Sequence, residues 1–163
     1  MTAETVATGN KPTRTAAGDE IEQLHPNPQG NPCHCFALRH AARSISRQYT
    51  EVMGGLGLKP TQFSVLSVLA QAQQSSITSL ADILGLERTS LTRTLRPLEN
   101  EKLVERTEEG FKRQKAIRIT AKGLSKYQQC LPLWSTAQQN LVQKLTPKEL
   151  EQLHTLLAKV QAD

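Results

Sequence analysis

"ITSLADILGLERTSLTRTLRPLENEKLV", Ile77–Val104, carries the pattern on which the fold turns. Its first part predicts a short helix with Thr78 as its cap and Leu80, Ile83 and Leu84 turned inward. Gly85 closes it, because glycine adopts the left-handed terminating conformation without a steric penalty. A second helix follows at once. At about 100° per residue, Leu91, Leu95 and Leu98 share one face, Thr89, Arg93, Arg96 and Asn100 lie opposite, and Ser90 and Thr92 flank them. Two helices about a glycine corner, the second dry on one side and lined with hydroxyls and arginines on the other, have helix-turn-helix spacing. The chemistry suits DNA: Arg binds guanine O6 and N7 in a two-pronged fashion, Ser and Thr reach bases or phosphates, and an α-helix fits the major groove. Pro97 is irregular, since it removes a hydrogen bond and crowds the carbonyl of Arg93, so a kink or local loosening is expected.

Downstream, "KLVERT" and "KAIRIT" read as two short strands around the loop "EEGFKR", with Gly110 supplying the turn and Lys112 and Arg113 at or near its tip. A basic two-stranded wing beside a helix-turn-helix follows the DNA backbone and reaches the adjacent minor groove. Charge placement agrees. Between Glu87 and Lys126 lie eleven basic and six acidic residues, a difference of +5 that equals the net charge of the whole chain. Such concentration favours a polyanionic partner over a plain solvated surface.

Upstream, "TQFSVLSVLAQA" is an apolar helix, the scaffold beneath the motif. Before it, Asn31 is a good N-cap and Pro32 suits the first helical position. Cys35, Leu38, Ala42, Ile45, Tyr49 and Val52 then make one apolar stripe, ended by "GGLGLKP" from Gly54. Residues 1–30 are rich in Thr, Ala, Gly, Asn and Pro without a lasting apolar period and are expected to form a disordered or loosely held arm. Toward the C-terminus, Leu124, Tyr127, Leu131, Trp134, Leu141 and Leu145 keep helical spacing. "TPKE" at Thr146–Glu149 is a capping box, and Leu150, Leu153, Leu157 and Val160 carry the final stripe.

Composition bounds the function. With 163 residues and 37% apolar content the chain suits one soluble domain with a real core. It contains no apolar run of roughly 18 residues and opens with no signal-peptide pattern, so a cytoplasmic protein is expected. An odd count of three cysteines argues against structural disulfides. His25, His34, His40 and His154 have no paired carboxylate or nucleophile at a recognisable spacing, and no Gly-rich phosphate loop occurs, which argues against an enzyme. A winged-helix protein-interaction module would present an apolar or acidic face where this chain presents arginines.

From about Cys35 onward the chain resembles the MarR family of winged-helix transcriptional regulators. The resemblance rests on "LADILGLERTSLTRTLRPLENEKLVER", on Arg113 seven residues before Thr120, and on "ITAKG", which is similar to the family's "LTxxG". It implies a mainly α (α+β) fold, a winged helix-turn-helix over 60–120 with a helical dimerisation region at 31–56 and 121–163. It also implies a homodimer on a palindromic double-stranded operator, a repressor released by a small aromatic or phenolic effector, with neither cofactor nor metal. Arg88, Thr89, Ser90, Thr92, Arg93, Arg96, Lys112 and Arg113 are the expected DNA-binding residues. Where the family carries Asp two residues before the wing arginine, this chain has Phe111, so the ion pair that braces Arg113 is absent.

"NPCHCFALRHAARS", Asn31–Ser44, raises two further readings. Cys33, His34 and Cys35 are suitable metal donors, but helical residues two apart point about 200° from each other, so both thiolates share one ion only where the helix start is unwound and a fourth ligand such as His40 or His25 is recruited. "CFALRHAARSISRQY" is similar to the first helix of the organic-hydroperoxide-sensing branch of the family, with Cys35 at the reactive-cysteine position and Tyr49 at that of its tyrosine partner. A helix N-terminus favours a thiolate there. Cys35 and Tyr49 are about 21 Å apart along one helix, so they meet only across a dimer. Arg39 and Pro60 stand where that branch expects tyrosines. The plainer alternative makes Cys35 a buried helix residue near a pocket for a small organic effector.

Overall fold

The computed structural model describes residues 33–109 and 114–161. The expected arm over 1–30, the Asn31–Pro32 helix start, and Gly110, Lys112 and Arg113 lie outside the described residues. In chain order the elements are α1 (His34–Met53), a 3-10 turn (Gly54–Leu56), α2 (Pro60–Ala72), β1 (Gln74–Ser76), α3 (Ile77–Leu84), α4 (Arg88–Asn100), β2 (Val104–Glu109), β3 (Gln114–Ile119), α5 (Ala121–Val142) and α6 (Pro147–Gln161). The chain divides within α1 into two compact units, Met1–Arg43 and Ser44–Asp163. The second unit is a helix-turn-helix followed by a β-hairpin, the winged helix-turn-helix, with long helices on either side of it in sequence.

In the first unit the helix begins at His34, its first bond running from the Ala37 N–H to the Cys33 carbonyl at 3.0 Å.

The core belongs to the second unit. Helix α2 contributes Phe63, Val65, Leu66 and Leu69, joined by Met53, Leu80, Leu103 and Ile117, all at most 5% exposed. Pro60 opens α2 at its first position, and the Gln62 side chain accepts from the Lys59 N–H at 2.8 Å, the reciprocal cap of that turn. A third strand that sequence reading did not include, β1, pairs antiparallel with β3 in the register Gln74↔Arg118, Ser75↔Ile117 and Ser76↔Ala116, giving the order β1-β3-β2. "QSS" has no strand signature; its pairing satisfies the free edge of β3, a tertiary demand rather than a local one.

Two details of α3 differ from expectation. Ser76, not Thr78, is the cap: its Oγ accepts from the Ser79 N–H at 3.0 Å while its backbone is still extended from β1. Ile83 is 60% exposed rather than turned inward. With Ile77, Leu80, Ala81 and Leu84 on the inner face, Ile83 falls about 100° round the helix. Gly85 does terminate α3 in the left-handed region, at φ 60°, with Leu86 N–H donating to the Ala81 carbonyl at 2.9 Å.

Leu91, Leu95 and Leu98 seat α4 on the core, each fully buried. The helix continues through Pro97, which lies on its exposed side, so the loosening expected there stops short of breaking it. At its C-terminus Lys102 takes the left-handed conformation, φ 58°, and Leu103 N–H closes the end on the Leu98 carbonyl at 2.8 Å. Glycine is the usual occupant of such a position, because a Cβ there is strained.

"ITAKG" acquires a physical meaning at this point. The Thr120 hydroxyl accepts from the Gly123 N–H at 3.0 Å and donates to the Lys102 carbonyl at 2.7 Å, locking the start of α5 to the end of α4. Gly123 permits that approach, for a Cβ there would sit 2.0 Å from the Leu103 oxygen. Farther on, the expected capping box starts α6, with the Thr146 N–H donating to Glu149 Oε2 at 2.7 Å. Those bonds from Thr146 hold the Glu149 carboxyl below its ordinary range. The box therefore contributes at neutral pH and fades as pH falls through that lowered value.

These contacts set two expectations. Gly123→Ala lowers stability by about 1–3 kcal/mol, since neither backbone can retreat from the added methyl. Lys102→Gly raises it, by up to about 1 kcal/mol, through relief of the left-handed strain. Urea unfolding of both variants against the parent measures the two signs directly.

Candidate functional site

Burying the leucine seam of α4 fixes what its other side presents. Arg88, Thr89, Ser90, Thr92, Arg93 and Arg96 are all exposed on that side, so the six expected residues of this helix lie on one surface. The Thr92 hydroxyl donates to the Arg88 carbonyl at 2.8 Å and that of Thr94 to the Ser90 carbonyl at 3.0 Å. Both hydroxyls thereby keep their lone pairs free to accept. The two expected wing residues, Lys112 and Arg113, lie outside the described residues.

Two ion pairs were not foreseen from the sequence. Arg106 on β2 donates through Nε to Glu99 Oε1 on α4 at 2.6 Å. Arg118 on β3 places Nε and a terminal nitrogen on Glu105 Oε1 of β2, at 2.9 and 2.7 Å, between residues directly opposite in the strand register. The cross-strand pair follows from register once the strands are known. The helix-to-strand pair depends on how β2 leaves α4, which spacing rules for a single helix cannot reach. Its one available signal was Glu99 itself, the only acid in α4.

A separate concavity of about 190 Å³ lies where α1, α2 and α5 meet, lined by Ile45, Ser46, Tyr49, Met53, Pro60, Phe63, Ser64 and Trp134. Phe63 stacks on Trp134 with ring centroids 5.9 Å apart, and its other neighbour is Tyr127 at 5.4 Å. The Tyr49 hydroxyl donates to Gln138 Oε1 on α5. Burial pushes the Tyr49 phenol upward, so it stays protonated and a hydrogen-bond donor at neutral pH. None of these lining side chains carries a formal charge. The concavity suits a small, mostly apolar molecule.

Of the three thiols, Cys33 and Cys35 are exposed and Cys130 is buried. Cys35 is thus not the buried helix residue of the plainer reading. It stands second in α1, where side chains have no preceding turn to lie against. Burial pushes the Cys130 thiol up against the lowering effect of Lys126, the environment of an inert core cysteine. Among the described residues, no three His, Cys, Asp or Glu side chains converge on a metal-sized site, and no helix is long and apolar enough to cross a membrane.

A family model described as MarR family matches residues 56–114. Among solved structures, the chain is similar to the M. tuberculosis transcriptional regulator MosR in complex with DNA, with 32% identity and a TM-score of 0.69 over 79% of this chain and 96% of that one. It is also similar to a mutant MarR from E. coli complexed with operator DNA, with 25% identity and a TM-score of 0.72 over 91% of this chain and 100% of that one. The transcriptional repressor CouR bound to a DNA duplex matches at 25% identity and a TM-score of 0.72, over 80% of this chain and 93% of that one. No curated protein sequence matches the chain.

The burial of the thiols generates a chemical expectation. In the native protein a thiol-specific alkylating reagent modifies Cys33 and Cys35 within minutes and spares Cys130 until urea unfolds the chain; peptide mass analysis identifies each site. Equal labelling of Cys130 under native conditions contradicts its placement in the core.

Proposed function

The chain belongs to the MarR family of DNA-binding transcription regulators, which are not enzymes, and from that premise we propose that it is a homodimeric cytoplasmic repressor that reads a palindromic operator and is released by a small organic effector. The observation that carries the DNA reading is α4, a helix pinned by three buried leucines with three arginines and three hydroxyl residues on its exposed side. Residues 60–120 supply the DNA-binding part. Arg88, Thr89, Ser90, Thr92, Arg93 and Arg96 enter the major groove, while Lys112 and Arg113 on the wing serve phosphates and the adjacent minor groove.

Helices within 31–56 and 121–163 supply the dimer in this reading. What supports it is the outer stripe of α6, a helix without one buried residue, whose Leu156 and Val160 are 59% and 66% exposed. A row of aliphatic side chains in water is costly, and a second copy would cover it. Two-fold symmetry then places two α4 helices about one helical turn apart on DNA.

For the effector we propose the concavity lined by Tyr49, Met53, Phe63 and Trp134. An apolar cavity of about 150 Å³ accommodates benzene, so about 190 Å³ suits a single substituted ring, with the Tyr49 hydroxyl as its polar handle. Release requires that such a ligand favour the conformation that does not bind DNA.

One observation favours a second reading, a redox signal at Cys35. Because Cys33 precedes the helix, the 200° separation that holds within a helix does not apply to these two exposed thiols. An organic hydroperoxide would oxidise the Cys35 thiol to a sulfenic acid, leaving an alcohol. Attack by the Cys33 thiol would then form a disulfide and expel water. Tyr49 keeps its place in this reading as a hydrogen-bond partner brought from the second copy.

Three measurements divide these readings. Arg93→Ala and Arg96→Ala lower affinity for a selected duplex by about 1–3 kcal/mol for each two-pronged base contact and spare random DNA, whereas Arg113→Ala weakens both alike. Equal losses on both duplexes for all three variants would refute that division. Titrating the single Trp134 by fluorescence with phenol yields saturable quenching that weakens in Tyr49→Phe if the concavity holds the effector. DNA release by cumene hydroperoxide that vanishes in Cys35→Ser establishes the redox signal, and release that persists unchanged removes it.

A further inference from the structure

Glu99 stands where the helix end and a polyanionic partner both disfavour a carboxylate. It is the only acid in α4, among Arg88, Arg93 and Arg96. It sits in the last turn, where the helix dipole already disfavours negative charge. On a helix that approaches a polyanion, a free carboxylate also repels the phosphates. Two terms therefore oppose an acid at this position, and among the described residues the ion pair that offsets them is the 2.6 Å bond from Arg106 Nε.

We propose that Glu99 and Arg106 are positioning residues for DNA recognition: their ion pair fixes the angle between the reading helix α4 and the hairpin. This inference rests on the DNA-binding reading above. Arg106 is the third residue of β2, so the hairpin from there to Glu109 extends outward for about 10 Å at roughly 3.3 Å per residue. A tilt of about 10° at Arg106 then moves that end by about 2 Å, enough to lose a hydrogen bond to a phosphate. Arg118 and Glu105 brace β3 to β2 on the next residue of the strand, so the hairpin moves as a unit and the pair at Glu99 sets its direction. The bond contributes little to folding, because Arg106 and Glu99 are 41% and 25% exposed and exposed ion pairs add little stability. Its effect is on the ratio of specific to non-specific binding.

The sign of one substitution separates this role from a plain surface charge. Glu99→Gln removes a negative charge, which by itself strengthens binding to every duplex. If Glu99 positions the hairpin, the same change weakens binding to the preferred sequence. The experiment takes a duplex selected by the wild-type protein from a randomised library and a scrambled duplex of the same composition, and measures both affinities at fixed salt for wild type, Glu99→Gln, Arg106→Gln and the double variant. Glu99→Gln is expected to bind the selected duplex three- to tenfold more weakly and the scrambled duplex as well as or better than wild type. In the Arg106→Gln background the same substitution no longer weakens the selected duplex, because the bond is already gone. Melting temperatures of the four proteins stay within a few degrees.

Glu99→Gln binding both duplexes more tightly, or weakening the selected duplex equally in both backgrounds, would overturn the proposal. If a variant melts early, Arg106→Lys, which keeps the charge but loses the Nε geometry, is read against wild type instead and is expected to lose specificity threefold or more; an unchanged ratio overturns the proposal. Failure of the wild type to select any duplex is a different result, since it removes the sequence-specific DNA reading itself.

Discussion

The burial of Leu91, Leu95 and Leu98 against α2 and α3 is the constraint on which the remaining structure depends. A thirteen-residue helix of this composition has little reason to form alone, with a proline inside it and three like-charged arginines along it. Seated on the core it loses its freedom to rotate, and the face 180° from the leucines becomes a fixed array of guanidinium and hydroxyl groups. Everything attached to α4 inherits that fixity. Lys102 ends it in a strained conformation held by two backbone bonds, Thr120 binds that turn, and Gly123 lets α5 approach the Leu103 backbone.

Function and stability are thus drawn from different sides of the same element. The apolar side contributes the burial term, about 25 cal/mol per Å² of surface removed from water. The polar side stays in water and, in the proposed reading, carries the contacts to DNA. The same division recurs in α2, whose Phe63 belongs to the core and also lines the concavity beside Trp134. Helix α2 also packs against α4, so in the proposed reading a ligand in the concavity would press on a neighbour of the DNA-reading helix.

Much of this was legible in the sequence, for identifiable reasons. Apolar spacing located α2, α4 and α5, and Gly85 marked its turn because left-handed backbone favours glycine. "TPKE" was readable as a cap because its two bonds are local. What was missed is non-local. Strand β1 exists because β3 has an edge to satisfy, Ser76 caps α3 because β1 delivers it in an extended conformation, and Ile83 is outward because the neighbours chosen by the core exclude it. The candidate site divides the same way: the arginines of α4 follow from helical phase, whereas the bond from Arg106 to Glu99 follows from the path of β2. The stripe of Leu150, Leu153, Leu157 and Val160 in α6 was visible as a pattern, but a pattern does not say that Leu157 and Val160, with Leu156 beside them, face outward in the single chain while Leu150 and Leu153 are half-buried.

In the proposed function the exposed face of α4 reads DNA sequence from a two-fold dimer. Hydroxyl-radical footprinting of the purified protein on genomic fragments, including the one upstream of its own coding region, tests it most directly. A dimer of this kind protects two short patches related by a two-fold axis, with centres about 10 base pairs apart, or a whole multiple of that, and loses both patches in Arg93→Ala at a concentration where wild type saturates. Absence of any sequence-selective protection at moderate salt, or a footprint that Arg93→Ala leaves intact, would contradict it.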